Sequence, residues 1–324
     1  MKKNTLTDSF IGDLEQMVPG GVSVGVTLSS ISRWKIGGIA DCIVKPSNSK
    51  EVSSLISYLN NSDLSYIVIG STSNLLFSDE GLRVVAIQIG ERMSDFRISG
   101  NRVWTQAGKW VPGLARNVAQ ASLSGIEHTA GIPGTIGGLI CMNGGSQRKG
   151  IGSHIKSVTA ISPTGEIKTF KREECKFEYR SSVFQDNGFI IVEAELEFSQ
   201  GKKYSVIRDE MLEILRARRA KFPQRLPNCG STFISNPDIY KKYGPPGAVI
   251  EELGFKGYRI GGAEVSRIHA NFINNVGKAK ASDVLQIIRK LQESVRNKTG
   301  FDMEAEVKYV SSEGKKVPAH EIIM

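Results

Sequence analysis

The chain has 324 residues, of which 40% are hydrophobic and 23% charged, and its 42 Lys+Arg against 33 Asp+Glu give a net charge of +9. This excludes a mainly disordered chain; at roughly 150 residues per domain it predicts about two domains, each able to build a core without disulfides or metals. No run approaches the ~18 apolar residues of a membrane-spanning helix, and Lys2-Lys3 lead into polar Asn4, Thr5, Thr7 and Asp8, so no secretory signal is expected.

Along the chain, Ser47-Asn48-Ser49 precede Val52, Leu55, Ile56 and Leu59, the pattern of a capped amphipathic helix. Tyr66-Ile67-Val68-Ile69 reads as a short buried strand running into Gly70-Ser71-Thr72-Ser73-Asn74-Leu75, and a second strand covers 84–89, so 1–90 form a small α/β unit. A strand at 102–105 and a helix over 111–123 lead into a glycine-dense loop. Strands at 158–162 and 167–170 flank Pro163-Thr164-Gly165-Glu166 as a hairpin, and another strand covers 190–198. A charged helix over 205–221 stops before Pro223. A final helix starts with Ser282 as its N-cap candidate and aligns Val284, Leu285, Ile287, Ile288, Leu291 and Val295. The class is α+β, and the composition change at Gly201-Lys202-Lys203 marks the main division.

Cys42, Cys141, Cys175 and Cys229 are scattered without a CxxC. His128, His154, His269 and His320 lack ligand spacing, so no metal site is expected and reduced thiols in a cytoplasm are. Neither a P-loop nor a GxGxxG after a strand occurs, which leaves a nicotinamide-type Rossmann domain without support. The 34 glycines exceed the usual ~7%. Eight of them fall in three stretches: the Gly70 loop, Gly131-Ile132-Pro133-Gly134-Thr135-Ile136-Gly137-Gly138, and Gly257-Tyr258-Arg259-Ile260-Gly261-Gly262. Bare backbone of this kind can cradle an anion or simply pack closely; in a basic protein both readings stand.

With Ile36-Gly37-Gly38-Ile39-Ala40-Asp41, Tyr179-Arg180-Ser181-Ser182-Val183-Phe184, Gly230-Ser231-Thr232-Phe233, Lys256-Gly257, His269-Ala270-Asn271-Phe272-Ile273 and Glu304-Ala305-Glu306-Val307 in this order, the chain resembles the UDP-N-acetylenolpyruvoylglucosamine reductase (UDP-N-acetylmuramate dehydrogenase) family over 27–310. The resemblance implies a vanillyl-alcohol-oxidase-type FAD-binding fold of two α/β subdomains (1–90 and 91–201), a substrate domain (202–300) and a C-terminal segment (301–324) whose strand returns to the FAD-binding region. It implies FAD, with NADPH as reductant; a covalent flavin occurs in this fold, but His128 and the cysteines lie outside any linkage motif, so noncovalent FAD is expected. The substrate would be UDP-N-acetylglucosamine enolpyruvate, reduced to UDP-N-acetylmuramate for peptidoglycan precursor synthesis.

The first two glycine loops match those that hold FAD: Gly70, Ser71, Thr72, Ser73, Asn74 and Leu75, and Gly131, Ile132, Pro133, Gly134, Thr135, Gly137 and Gly138. Hydride delivered to the enolpyruvyl double bond leaves charge that spreads into the conjugated carboxylate, and the other carbon needs a proton. Arg180 matches the family's permanent cation, Glu306 the late carboxyl group that polarises the carboxylate while protonated, and Ser231 the proton donor. Tyr179, Arg180, Asn236, Lys256 and His269 match substrate contacts.

Departures are Thr72 in place of a common glycine, one extra residue between Ser231 and Asn236, and Gly144-Gly145-Ser146 for a more usual Asn-Ala-Gly. The 51-residue separation of Arg180 from Ser231 (231 − 180) resembles the family's second type, which lacks a tyrosine-bearing substrate loop. A flavin oxidoreductase of the same fold acting on another sugar or alcohol is the alternative. The basic run Arg216, Arg218, Arg219, Lys221, Arg225 shares its helix with Asp209 and Glu213 and reads as a solvated face, so neither a nucleic acid nor a membrane is an expected partner. A monomer is compatible with the sequence, which does not determine the oligomeric state.

Overall fold

The computed structural model describes residues 7–322; Lys2, Lys3, Asn4 and Thr5 of the polar start lie outside them. The elements mix helices and strands throughout, the α+β class expected. The chain divides into two compact units. The first holds the residues up to Ser23, Ile43–Ser71 and Val85–Arg218; the second holds Val24–Cys42, Thr72–Val84 and the chain from Arg219 onward. This differs from a single cut at residue 201 in two ways, each with a physical cause. The helix Tyr204–Lys221 buries Ile207 and lays Arg218 on Gly131, which keeps 202–218 with the first unit. Trp34, Ile36 and Leu76 join the core of the C-terminal helix, which draws 24–42 and 72–84 into the second.

In the first unit, the helix Ser49–Asn61 is capped by Asn48, whose Oδ1 accepts from Glu51 N at 2.9 Å, and it buries Val52, Leu55, Ile56 and Leu59 as the periodicity predicts. Tyr66–Ile69 lies parallel to the second half of Leu82–Gln88, with Tyr66 opposite Val85. A five-stranded antiparallel sheet follows in the order Phe96–Ser99, Arg102–Gln106, Ile190–Glu197, Ile155–Ile161, Ile167–Lys171. The predicted hairpin closes this sheet, with Gly165 at φ 94° in its turn. The edge strand Phe96–Ser99 has no counterpart in the sequence reading, because its burial only alternates weakly. The helix Val111–Gln120 stops before the anticipated residue 123, and Ser122 beyond it takes φ 57°. A further helix, Ile136–Cys141, grows from the second glycine loop with Thr135 as its N-cap; its two glycines hide it from any propensity argument.

In the second unit, the helix Ala281–Thr299 buries all six residues of the predicted face against Val249, Ile250, Val265, Ile273 and Val307. Each buried aliphatic of this kind contributes about 1.5–3 kcal/mol. Ser282 is not the N-cap. The carboxylate of Asp79 accepts from Ala281 N at 2.7 Å and Ser282 N at 3.1 Å, so the helix start is capped by a residue some 200 positions earlier. One small antiparallel sheet joins Arg259–Ile260, Ala263–Val265 and Ile273–Asn275. A second places Lys308–Val310 between Lys316–Pro318 and Leu75–Phe77, with Lys308 parallel and opposite Leu75. The late strand thus pairs with the residues that directly follow the first glycine loop. No helix among the described residues is long and apolar enough to cross a membrane.

Candidate active site

Two glycine loops meet in the first unit. A Cβ on Gly70 would lie 2.7 Å from Thr135 Oγ1, and one on Gly137 would lie 3.0 Å from Ala107 Cβ. Any side chain at Gly70 would displace Thr135, whose hydroxyl accepts from Gly138 N at 3.4 Å and so caps the helix that leaves the loop. Gly131 is bare for another reason. The Arg218 side chain fills the space a side chain at this position would need, 2.6 Å from where a Cβ would stand, so Arg218 is not part of a purely solvated face. Its guanidinium pKa is lowered by burial. The result is a closely packed loop in which Thr135, Ala107 and Arg218 take the places that side chains at Gly70, Gly137 and Gly131 would need.

Beneath this loop, His128 is buried, its Nδ1–H donating to Gly125 O at 3.0 Å. Burial pushes its pKa down to about 4, with smaller lowering from His154 and Lys149, so the imidazole is neutral at pH 7. Glu127 Oε2 accepts from Gly125 N at 2.7 Å. Gly125 is thus bonded on both sides by the residues preceding the loop.

Arg180 sits at the tip of a tight turn that Glu178 and Ser181 close by exchanging backbone hydrogen bonds of 3.1 and 3.2 Å. It has φ 57°, a conformation an arginine rarely adopts. Gln185 Nε2 donates to its carbonyl at 2.8 Å, and Asn143 Nδ2 to that of Glu178 at 2.7 Å. These contacts hold the strained backbone in place. Tyr179 is 68% exposed, and the Arg180 guanidinium carbon stands 6.0 Å from its ring centroid.

The second unit brings three sequence-distant segments together. Thr72 takes φ 55° despite its branched side chain, so the turn typical of glycine is kept. Left-handed backbone costs about 1–2 kcal/mol for such a residue. Arg33 N–H donates to its hydroxyl at 3.0 Å, which offsets about 1 kcal/mol of that. Asn74 Nδ2 donates to Glu306 O at 2.9 Å, and Lys308 N donates to Asn74 O at 3.1 Å. Residues 304–306 run antiparallel to residues 232–234: Ile234 N donates to Glu304 O at 2.9 Å, Glu306 N to Thr232 O at 2.8 Å, and Phe233 bridges Ala305. Ser231, Glu306 and the end of the first glycine loop therefore form one neighbourhood. Glu304 is exposed whereas Glu306 is half-buried, so the two carboxyl groups, alike in sequence, differ in shielding.

Cys229, expected to be a packing residue, packs and also clasps. Its thiol contacts the carbonyls of Thr72 and Leu75 at 3.6 Å each. Burial pushes the thiol up to about 12, which leaves it protonated and unreactive. This contact is not legible in the sequence, because Cys229 lies more than 150 residues from both carbonyls.

Of the substrate-contact candidates, Lys256 pairs with Glu251 at 2.6 Å. Asn236 caps the helix Pro237–Tyr243, its Oδ1 accepting from Asp238 N at 2.8 Å, with Pro237 at the first helical position. The Asn-Pro pair is thus a helix start. His269 Nδ1 accepts from Asn271 N at 3.3 Å, which assigns its proton to Nε2. Its pKa is lowered, first by burial and then by Lys221.

Comparison with known proteins identifies the family. A model of the FAD binding domain matches residues 40–171, and one of the UDP-N-acetylenolpyruvoylglucosamine reductase C-terminal domain matches residues 222–310. The second match removes the alternative of another sugar or alcohol. The UDP-N-acetylenolpyruvoylglucosamine reductase 1 of Corynebacterium glutamicum is 44% identical over 92% of this chain and 88% of its own length. The Syntrophomonas wolfei reductase is 36% identical over 91% and 97%. The crystal structure of the Thermus caldophilus reductase superposes with a TM-score of 0.75 at 30% identity, covering 88% of this chain and 97% of that one. The chain belongs to the UDP-N-acetylenolpyruvoylglucosamine reductase family, FAD-dependent oxidoreductases that reduce enolpyruvyl-UDP-N-acetylglucosamine in peptidoglycan synthesis.

Proposed function

We propose that Arg180, Ser231 and Glu306 carry the reduction, with NADPH as the reductant and FAD bound noncovalently through residues 70–75 and 131–138. Bound there, FAD would supply hydride chemistry between NADPH and the enolpyruvyl double bond. The rest is the work of side chains. Arg180 holds a permanent positive charge for the substrate carboxylate, with a planar fork able to meet both oxygens. Glu306 donates a hydrogen bond to the same carboxylate, so charge developing there is met by two donors. Ser231 gives the proton that completes the lactyl ether. Tyr179, Lys256, His269 and Asn236 contact the UDP-sugar; for His269 the donor is Nε2–H. The enzyme acts in the cytoplasm.

One observation supports this reading: the antiparallel run of 232–234 along 304–306 brings the segment next to Ser231 alongside the one that holds Glu306, and Asn74 of the glycine loop bonds the Glu306 carbonyl. Ser231→Ala tests it. The variant should still be bleached by NADPH, but its reoxidation by UDP-N-acetylglucosamine enolpyruvate should slow ~10²- to 10⁴-fold, the usual worth of a positioned acid. Reoxidation at the normal rate would remove Ser231 from the mechanism.

A further inference from the structure

We propose that Asn271 is the positioning residue for Ser231; the proposal rests on the reading of Ser231 as proton donor. The residues around Ser231 belong to no regular strand, and their one bridge, Phe233 to Ala305, lies on one side. The other side is supplied by a single residue. Asn271 O accepts from Thr232 N at 2.8 Å, its Oδ1 accepts from Phe233 N at 2.9 Å, and its Nδ2 donates to Phe233 O at 2.9 Å.

The carboxamide has the donor and acceptor of a peptide group, and here it bonds both polar groups of one residue as a neighbouring strand would. Asn271, Thr232 and Phe233 are 6%, 1% and 1% exposed, so water cannot take over these bonds. Ser231 is the next residue out, half-buried at the open end of this clasp. The clasp is itself anchored: Asn271 N donates to His269 Nδ1 at 3.3 Å, and Phe272 N to His269 O at 3.0 Å.

Neither aspartate nor leucine does the same. Aspartate keeps the acceptor for Phe233 N–H but sets an oxygen against Phe233 O. Leucine keeps the volume and loses both bonds. In either case the backbone bond from Thr232 N remains, so the segment stays in place while the hydroxyl two residues from the lost bonds loses its fixed direction. A shift of about 1 Å in a reacting group costs on the order of 10²-fold.

The test uses the full-length FAD-loaded enzyme carrying Asn271→Asp or Asn271→Leu, alone and combined with Ser231→Ala. The expected result is full flavin content and bleaching by NADPH within about 2-fold of normal, with reoxidation by UDP-N-acetylglucosamine enolpyruvate slowed ~10- to 100-fold. KM for that substrate should be little changed and the solvent deuterium isotope effect on reoxidation larger. In the Ser231→Ala background the Asn271 substitutions should cost nothing further, because they act through a group already absent.

Normal reoxidation in the single Asn271 variants, or a second full loss in the double variants, would overturn the proposal. Equal loss of both half-reactions would overturn it as well, since that marks a general structural defect. Should Asn271→Leu fail to fold, Asn271→Asp carries the same comparison. A Ser231→Ala enzyme that reoxidises normally defeats the reading of Ser231 itself, whereas a slow Ser231→Ala enzyme with normal Asn271 variants defeats only the role of Asn271.

Discussion

The glycine loop at 131–138 and the serine segment at 229–236 are built in opposite ways. The loop owes its form to what is missing: Gly131 leaves room for Arg218, and Gly137 for Ala107. The serine segment owes its form to what is added. Cys229 reaches Thr72 and Leu75, Asn271 brackets Phe233, and residues 304–306 line the far side. Close packing of the loop is achieved by leaving side chains out. The backbone beside Ser231 is held by bonds from distant parts of the chain. The first device is local in sequence and the second is not.

The sharpest break of this comparison is Gly70→Val. Its Cβ would collide with Thr135 Oγ1, so the purified protein should lose most of its flavin, read as the ratio of absorbance at the flavin band to that of the protein. Retention of stoichiometric FAD would show that the loop tolerates side chains and that missing atoms are not what shapes it.

A smaller effect concerns the buried imidazole under the same loop. His128 has its pKa pushed down to about 4, below the ordinary ~6.5 of an unfolded chain. The unfolded state therefore binds a proton that the folded state refuses. The stabilisation is complete above about pH 6.5 and is lost as pH falls toward 4, on the order of 3 kcal/mol over that window. Chemical denaturation followed between pH 7 and 4.5 should show the slope, and His128→Gln should reduce it, leaving the part due to His154 and His269, whose pKa values burial also lowers.

Asp79→Ala makes the smallest change and probes the other kind of construction. It removes the cap of the helix Ala281–Thr299 and should cost about 0.5–2 kcal/mol, a few degrees in melting temperature, with flavin content unchanged. A Ser282→Ala control should do almost nothing, since Ser282 lies inside the helix. If the two substitutions were equally costly, the long-range cap would not be what starts this helix.

Much of the molecule follows from short-range pattern. The spacing of Val52, Leu55, Ile56 and Leu59, the hairpin around Gly165 and the six-residue face from Val284 to Val295 each occur as predicted, because periodicity over one element decides which side is apolar. The glycine loops and the motifs carrying Arg180, Ser231 and Glu306 are legible for the same reason: each is contiguous. The strand Leu75–Phe77 escapes such reading because three residues show no period, and it exists by pairing with Lys308–Val310. Local pattern points to Ser282 as the cap of the last helix because the residue that caps it, Asp79, is 202 residues from Ala281.

The amino-acid order by itself determined the element types, the bare loops and the identity of the chemical groups, all matters of neighbours a few residues apart. Only the tertiary structure decided which late carboxyl group is shielded, how Thr72 sustains a glycine-like turn, and that one asparagine brackets the backbone beside Ser231. Those outcomes depend on hydrogen bonds between segments separated by 38 to 232 residues, and no local pattern records which distant partner will satisfy a buried polar group.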